Sequence, residues 1–190
     1  MTSKYHSLTF TDSVRGAQQH YGSNYRKPEE PLSNDELTAL EREFIEARDG
    51  FYMATVSEDG WPYVQFRGGP PGFLKALDAS TLAFADFRGN RQYISTGNLA
   101  ANDRTALFFM DYANRRRLKL MARAEIVDAK ERPELVEQLM PEDYPALPER
   151  VVLVHVVAYD WNCPQHITPR YTFDELVESG VLLPPDRTEE

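Results

Sequence analysis

The chain has 190 residues, 42% hydrophobic and 27% charged, with one cysteine and a formal net charge of −9. This length suits a single medium domain with its own core, the lone Cys163 excludes an internal disulfide, and the acidity argues against a dedicated nucleic-acid binder, which gains affinity by neutralising phosphates. No apolar run approaches the ~20 residues of a membrane-spanning helix and the polar start lacks the order of a signal peptide, so a cytoplasmic protein with no membrane partner is expected.

Residues 1–31, with Pro28 and Pro31, read as an irregular lead-in. A helix follows: Ser33 and Glu36 have capping-box spacing, Leu37, Leu40, Phe44 and Ala47 share one face, and Gly50 stands where a C-terminal cap belongs. The period then changes to two. Phe51 to Ser57 and Trp61 to Arg67 read as a hairpin turned by Asp59-Gly60. Beyond the Gly68–Gly72 loop come strands at Phe73 to Leu77 and Thr81 to Asp86, a short helix within Arg91 to Leu99, and a buried strand at Arg104 to Met110. The sharpest alternation runs from Leu118 to Val127, where Leu118, Leu120, Ala122, Ala124 and Ile126 oppose Arg117, Lys119, Arg123 and Glu125. Glu131 to Met140 is helical, Val151 to Asp160 is a long strand, and Thr172 with Glu175 caps a last helix ending near Gly180. About six sequential, hairpin-linked strands with helices at the margins describe a mainly β protein, an antiparallel barrel with peripheral helices.

Charge is uneven along this order. Between Arg88 and Arg123 eight basic residues face two acids, which leaves the rest of the chain at −15. A recessed basic island in an acidic protein suits a small anion; composition leaves that reading level with a solvated strand face. Within the island, Phe84-Ala85-Asp86-Phe87-Arg88-Gly89-Asn90-Arg91-Gln92-Tyr93 runs from an apolar strand through a turn toward a helix, so backbone N–H groups and two guanidiniums can converge on a phosphomonoester. Taken alone, the segment reads rather as an ordinary turn with solvated arginines. Tyr63, Gln65 and Arg67 share one side of a strand, and Trp161-Asn162-Cys163-Pro164-Gln165-His166 brings a flat aromatic to a polar loop. Cys163 and His166 lack a second pair of metal ligands, His155 reads as a core histidine, and no dinucleotide, P-loop, zincin or nucleophile-elbow motif is present.

These stretches, with Ala54-Thr55-Val56-Ser57-Glu58-Asp59-Gly60-Trp61-Pro62-Tyr63 and the run Arg115 to Ala124, resemble the pyridoxamine 5′-phosphate oxidase-like FMN-binding split-barrel family from about Leu37 to Arg170. The resemblance implies a six-stranded split barrel, a single domain over residues 1–190, and a homodimer with FMN at the interface. The family's turn carries Ser-Arg-Lys on the FMN phosphate. Asn90-Arg91-Gln92 stands there, so Arg91 carries over, the lysine does not, and Arg88 is the candidate for the missing charge. Ala85 and Asp86 replace a usual Tyr-Thr; Gln65, Phe66 and Arg67 from one side, and Lys75 from the other, stand where the family approaches the flavin. Arg117 takes the place of a flavin-contacting glutamine, and Trp161, Asn162 and Arg170 resemble the C-terminal tryptophan and arginine region. His166-Ile167-Thr168-Pro169-Arg170 replaces the Arg-Leu-His-Asp-Arg run that grips vitamin B6, so oxidation of vitamin B6 is not implied. The expectation is an FMN-dependent oxidoreductase of unknown small-molecule substrate, with no side chain assigned as catalytic. A flavin-binding or sensing module without turnover, or a barrel holding haem or a deazaflavin, is the alternative.

Overall fold

The computed structural model describes residues 4–23, 25, 35–142 and 144–182. Its strands are β1 (Gly50–Val56), β2 (Pro62–Gly68), β3 (Leu74–Ala76), β4 (Thr81–Phe87), β5 (Arg104–Asp111), β6 (Arg116–Asp128) and β7 (Pro148–Trp161). Among the described residues they form one seven-stranded sheet, ordered β2-β1-β5-β6-β7-β4-β3, one strand more than expected. Every pairing is antiparallel.

The sheet curls, and the core shows why it must. β1 and β4 are separated by three strands in sheet order, which would put them roughly 19 Å apart in a flat sheet at about 4.8 Å per strand. Yet the ring centroids of Phe51 on β1 and Phe84 on β4 are 5.5 Å apart, and Phe51 also meets Phe73 and Phe109. Their burial with Met53, Leu107, Leu118, Leu120 and Val154 closes the sheet around one apolar interior, each large side chain contributing on the order of 1.5–3 kcal/mol. The alternation predicted from Leu118 holds: Leu118, Leu120, Ala122 and Ala124 are buried while Arg123 and Glu125 are exposed.

The helices are α1 (Lys4–Thr9), α2 (Asp12–His20), α3 (Ala39–Glu46), α4 (Ile94–Ala101), α5 (Pro133–Leu139) and α6 (Phe173–Glu178). Two of them correct the expected irregular lead-in. In α1, Tyr5 is buried beneath the Lys119 ammonium, 4.8 Å from its ring centroid, and Thr11 caps α2 by accepting from the Val14 N–H. α3 starts later than expected. Thr38 caps it, its N–H and hydroxyl both donating to the Glu41 carboxylate, while Ser33 lies outside the described residues. Gly50 is not the helix cap, since α3 closes at Ala47. It opens β1 opposite Gly68, and a Cβ there would stand 2.2 Å from Cζ of Phe66, whose ring covers this pair. Outside the barrel, Leu135 and Leu139 of α5 pack against Ala83, Ala85 and Val151, the two alanines being small enough to let the helix approach. Thr172 and Glu175 form the expected capping box on α6. Among the described residues no helix is long and apolar enough to cross a membrane.

Candidate anion-binding cleft

Between β2, the end of β4, the turn into α4 and the start of β7 lies a concave cleft of about 150 Å³. Alternation along β2 sends Tyr63, Gln65 and Arg67 inward and leaves Val64 and Phe66 outside. The next wall is the turn Gly89-Asn90-Arg91-Gln92-Tyr93. Arg91 and Tyr93 have positive φ, 62° and 52°, a conformation that costs ordinary side chains about 1–2 kcal/mol each and is concentrated at functional sites. Asn90 Oδ1 accepts from the Gln92 N–H. α4 begins at Ile94 with no side chain capping it, so its positive end opens on the cleft through Ile94, Ser95 and Thr96. The buried Ser95 hydroxyl and the Tyr63 hydroxyl both donate to Gln65 Oε1, at 3.3 and 3.4 Å, turning the amide nitrogen of Gln65 away from them.

Electrostatics centre on Asp86, which is 5% exposed. Arg67 Nη1 donates to one carboxylate oxygen at 2.8 Å, and Arg150 Nε and Nη2 donate to the other at 3.0 and 2.8 Å. Arg67 Nε is buried with no protein partner among the described residues. Beside this triad, Glu149 accepts from Arg88, Tyr93 and Arg150. These bonds, Arg88 first, outweigh desolvation and hold its carboxyl below the usual glutamate range. Among the residues that line the cleft, Arg67, Arg91 and Arg150 stand with the single carboxylate of Asp86, an excess of two positive charges.

Of the residues singled out in the sequence, Gln65, Arg67, Asp86, Asn90, Arg91 and Gln92 line this cleft. The others lie elsewhere in the chain. Arg88 is half exposed on Glu149, Ala85 packs under α5, and Lys75 donates to the Gln138 carbonyl. Phe66 and Arg170 line a separate hollow with Tyr52 and Tyr112, the Arg170 guanidinium 5.0 Å from the Tyr112 ring centroid. Trp161 packs on Phe44 and donates to Glu41, and Asn162 donates its N–H to the Arg117 carbonyl, with Arg117 Nε buried and unpartnered among the described residues. Arg150 and Ser95 stand in no motif. The one signal for Arg150 is a charge at the head of a long apolar strand.

The basic island disperses on folding. Lys119 pairs with Asp160, Arg123 with Asp103 and Arg88 with Glu149, because alternation turns these cations out toward acids on neighbouring elements. His155 corrects the core reading: its side chain is 50% exposed and 3.9 Å from Glu125. Cys163 is exposed, and among the described residues no group of three His, Cys, Asp or Glu is placed to hold a metal.

Three of the solved structures similar to this chain illustrate the likeness. An FMN-binding protein from Syntrophomonas wolfei is 12% identical over 80% of this chain and 96% of its own, with a TM-score of 0.50. HupZ of Group A Streptococcus is 16% identical over 71% and 99%, with a TM-score of 0.51. A Lactobacillus delbrueckii protein classed with the pyridoxamine 5′-phosphate oxidases is 20% identical over 68% and 97%, also at 0.51. At such identities the likeness concerns the fold, the split barrel. Curated protein sequences offer no match. The family model for pyridoxamine 5′-phosphate oxidase matches residues 37–159, from the residue before the α3 cap to two residues short of the end of the last strand, and the chain belongs to that family.

Proposed function

We propose that the chain binds FMN, with the terminal phosphate in the cleft, and works as a flavin-dependent oxidoreductase. The observation that carries this reading is the convergence of Arg67, Arg91 and Arg150 with the uncapped end of α4 on one hollow whose surplus of two positive charges matches a phosphate dianion. The buried, unpartnered Arg67 Nε is a donor that an incoming acceptor would satisfy. Arg67, Arg91 and Arg150 would neutralise the phosphate, and the Gln65 amide, aimed by Tyr63 and Ser95, would donate to the adjoining chain of the ligand. When bound, FMN supplies two-electron chemistry, and the protein's part is binding, orientation and electrostatics.

A homodimer belongs to the same proposal. About 150 Å³ is below the ~300–1,000 Å³ of ordinary ligand pockets, so one copy grips an end of the ligand and a second must wall in the ring. The outer face of the β1–β2 hairpin supports this, with Tyr52, Trp61, Val64 and Phe66 between 39% and 75% exposed. Trp161, Arg117 and Arg170, absent from the cleft of one copy, are then the residues proposed to border the ring from the other.

The absorption spectrum and mass of the molecule that copurifies test the cofactor: flavin bands with the mass of FMN are expected, and a deazaflavin spectrum or a colourless protein overturns the assignment. Arg91→Ala should weaken FMN binding by about 1.5–3 kcal/mol, the worth of a charge-assisted contact; unchanged affinity removes Arg91 from the site. Reduction of the bound flavin by NADH or NADPH and its reoxidation by a small acceptor separates an oxidoreductase from a binding module.

A further inference from the structure

The head of β7 carries a local irregularity beside the cleft. Asp86 pairs with Arg150 but the next residue, Phe87, pairs with Pro148, so Glu149 is an extra residue in a bulge. Neighbours on a regular strand point to opposite faces. Here the two side chains lie together, Arg150 Nη1 donating to Glu149 at 3.1 Å. Arg150 is held on three sides: Asp86 binds its Nε and Nη2, Glu149 its Nη1, and the Tyr93 ring lies 4.9 Å below its central carbon. Tyr93 is fixed in turn by its hydroxyl on Glu149. The residue at the N-terminal boundary of α4 is therefore tied to the bulged residue beside Arg150.

We propose that Arg150 is an anion-binding residue, the second fixed guanidinium of a clamp whose first is Arg67, and that Asp86 is the positioning residue holding both. This rests on the phosphate end of the ligand lying in the cleft. The turn itself provides Arg91 followed by the neutral Gln92, so β7 supplies a charge that the turn does not. Asp86 has two effects. It cancels part of the repulsion between two guanidiniums at one spot, and it fixes their rotamers before a ligand arrives, which removes an ordering cost from binding. Arg67 keeps its Nε and Nη2 unspent, and Arg150 keeps the second hydrogens of both terminal nitrogens.

The test compares FMN with riboflavin, which lacks the phosphate, on the full-length protein, and measures stabilisation by inorganic phosphate in a thermal-shift assay. Arg150→Gln should weaken FMN about 10- to 100-fold, as loss of a charge-assisted contact implies. It should leave riboflavin within about twofold and abolish the phosphate-induced rise in Tm. Arg150→Lys keeps the charge without the fork and should recover only part of the FMN affinity; if Arg150→Gln fails to fold, the roughly tenfold loss expected of the lysine variant decides alone. Wild-type preference for FMN and wild-type phosphate stabilisation in Arg150→Gln, or full affinity in Arg150→Lys, overturn the clamp. A wild-type protein that gains Tm from phosphate, with the gain lost in Arg150→Gln, but does not prefer FMN upholds the clamp and fells the FMN reading. A wild type that responds to neither fells both.

Discussion

Glu41 and Asp86 are two buried acids set near arginine and aromatic side chains, and their surroundings differ in what remains unspent. At the seam between α3 and β7, Glu41 is 4% exposed and is satisfied by neutral donors, Trp161 Nε1 at 2.8 Å and the Thr38 N–H at 3.1 Å. Arg116 there lies flat on the Trp161 and Phe44 rings. At the cleft, Asp86 is satisfied by two cations that keep donors free beside an uncapped helix. The ingredients match while the balance differs: Glu41 is satisfied within its own seam, and the cleft retains donors unspent beside its acid.

The largest effect is expected of Asp86→Ala. It leaves Arg67 without a counter-ion and Arg150 with Glu149 alone, and should cost about 3 kcal/mol in urea unfolding, part of it recovered by excess inorganic phosphate. A loss under ~1 kcal/mol would mean that the arginines relax into water and the triad is no fixed device. Trp161→Phe, at the seam, should cost about 1–3 kcal/mol by orphaning the Glu41 oxygen, with phosphate offering no relief.

Acid separates the regions further. Burial pushes Glu41 upward, but hydrogen bonds from Thr38 and Trp161 prevail and leave its folded pKa lowered. A lowered folded pKa means a stabilising contribution that is full above the ordinary value of ~4.3 and is lost as pH falls through the folded value. Urea midpoints of the wild type should therefore decline on acidification below that value, and those of Glu41→Gln should decline less. Tyr159 beside it, pushed up to about 12 by burial and then by the Glu41 charge, stays neutral throughout that range. The smallest effect belongs to Arg123→Ala: its pair with Asp103 is about half exposed on both sides and should be worth under ~1 kcal/mol, confirming that most of the basic island is surface.

What could be read in the sequence was what local pattern decides. The alternation from Leu118, the Asp59-Gly60 hairpin and the Thr172–Glu175 cap each follow from residues within a few positions of one another. Ser33–Glu36 and Thr38–Glu41 offer the same capping spacing five residues apart, and α3 uses the second. The α1 segment was illegible because Tyr5 finds its burial against the distant Lys119; α2 shows no apolar stripe and buries no residue. In the cleft, the Arg91 turn and the inward side of β2 were legible. Arg150 was not, since its partner Asp86 is 64 positions away and the two meet only once β4 and β7 have paired.

The bulge also separates two demands on one strand. From Arg150 to Val156, β7 keeps period-two facing, with Val152, Val154 and Val156 inward; a second register shift follows at Val157, between the Ala122–Val156 and Met121–Ala158 pairs. Removing Glu149 would leave the Asp86–Arg150 pair and that run in step while taking away the carboxylate on Arg150 Nη1. The setting of Arg150 is thus adjustable by length, at the bulge, without touching the apolar pattern of the wall.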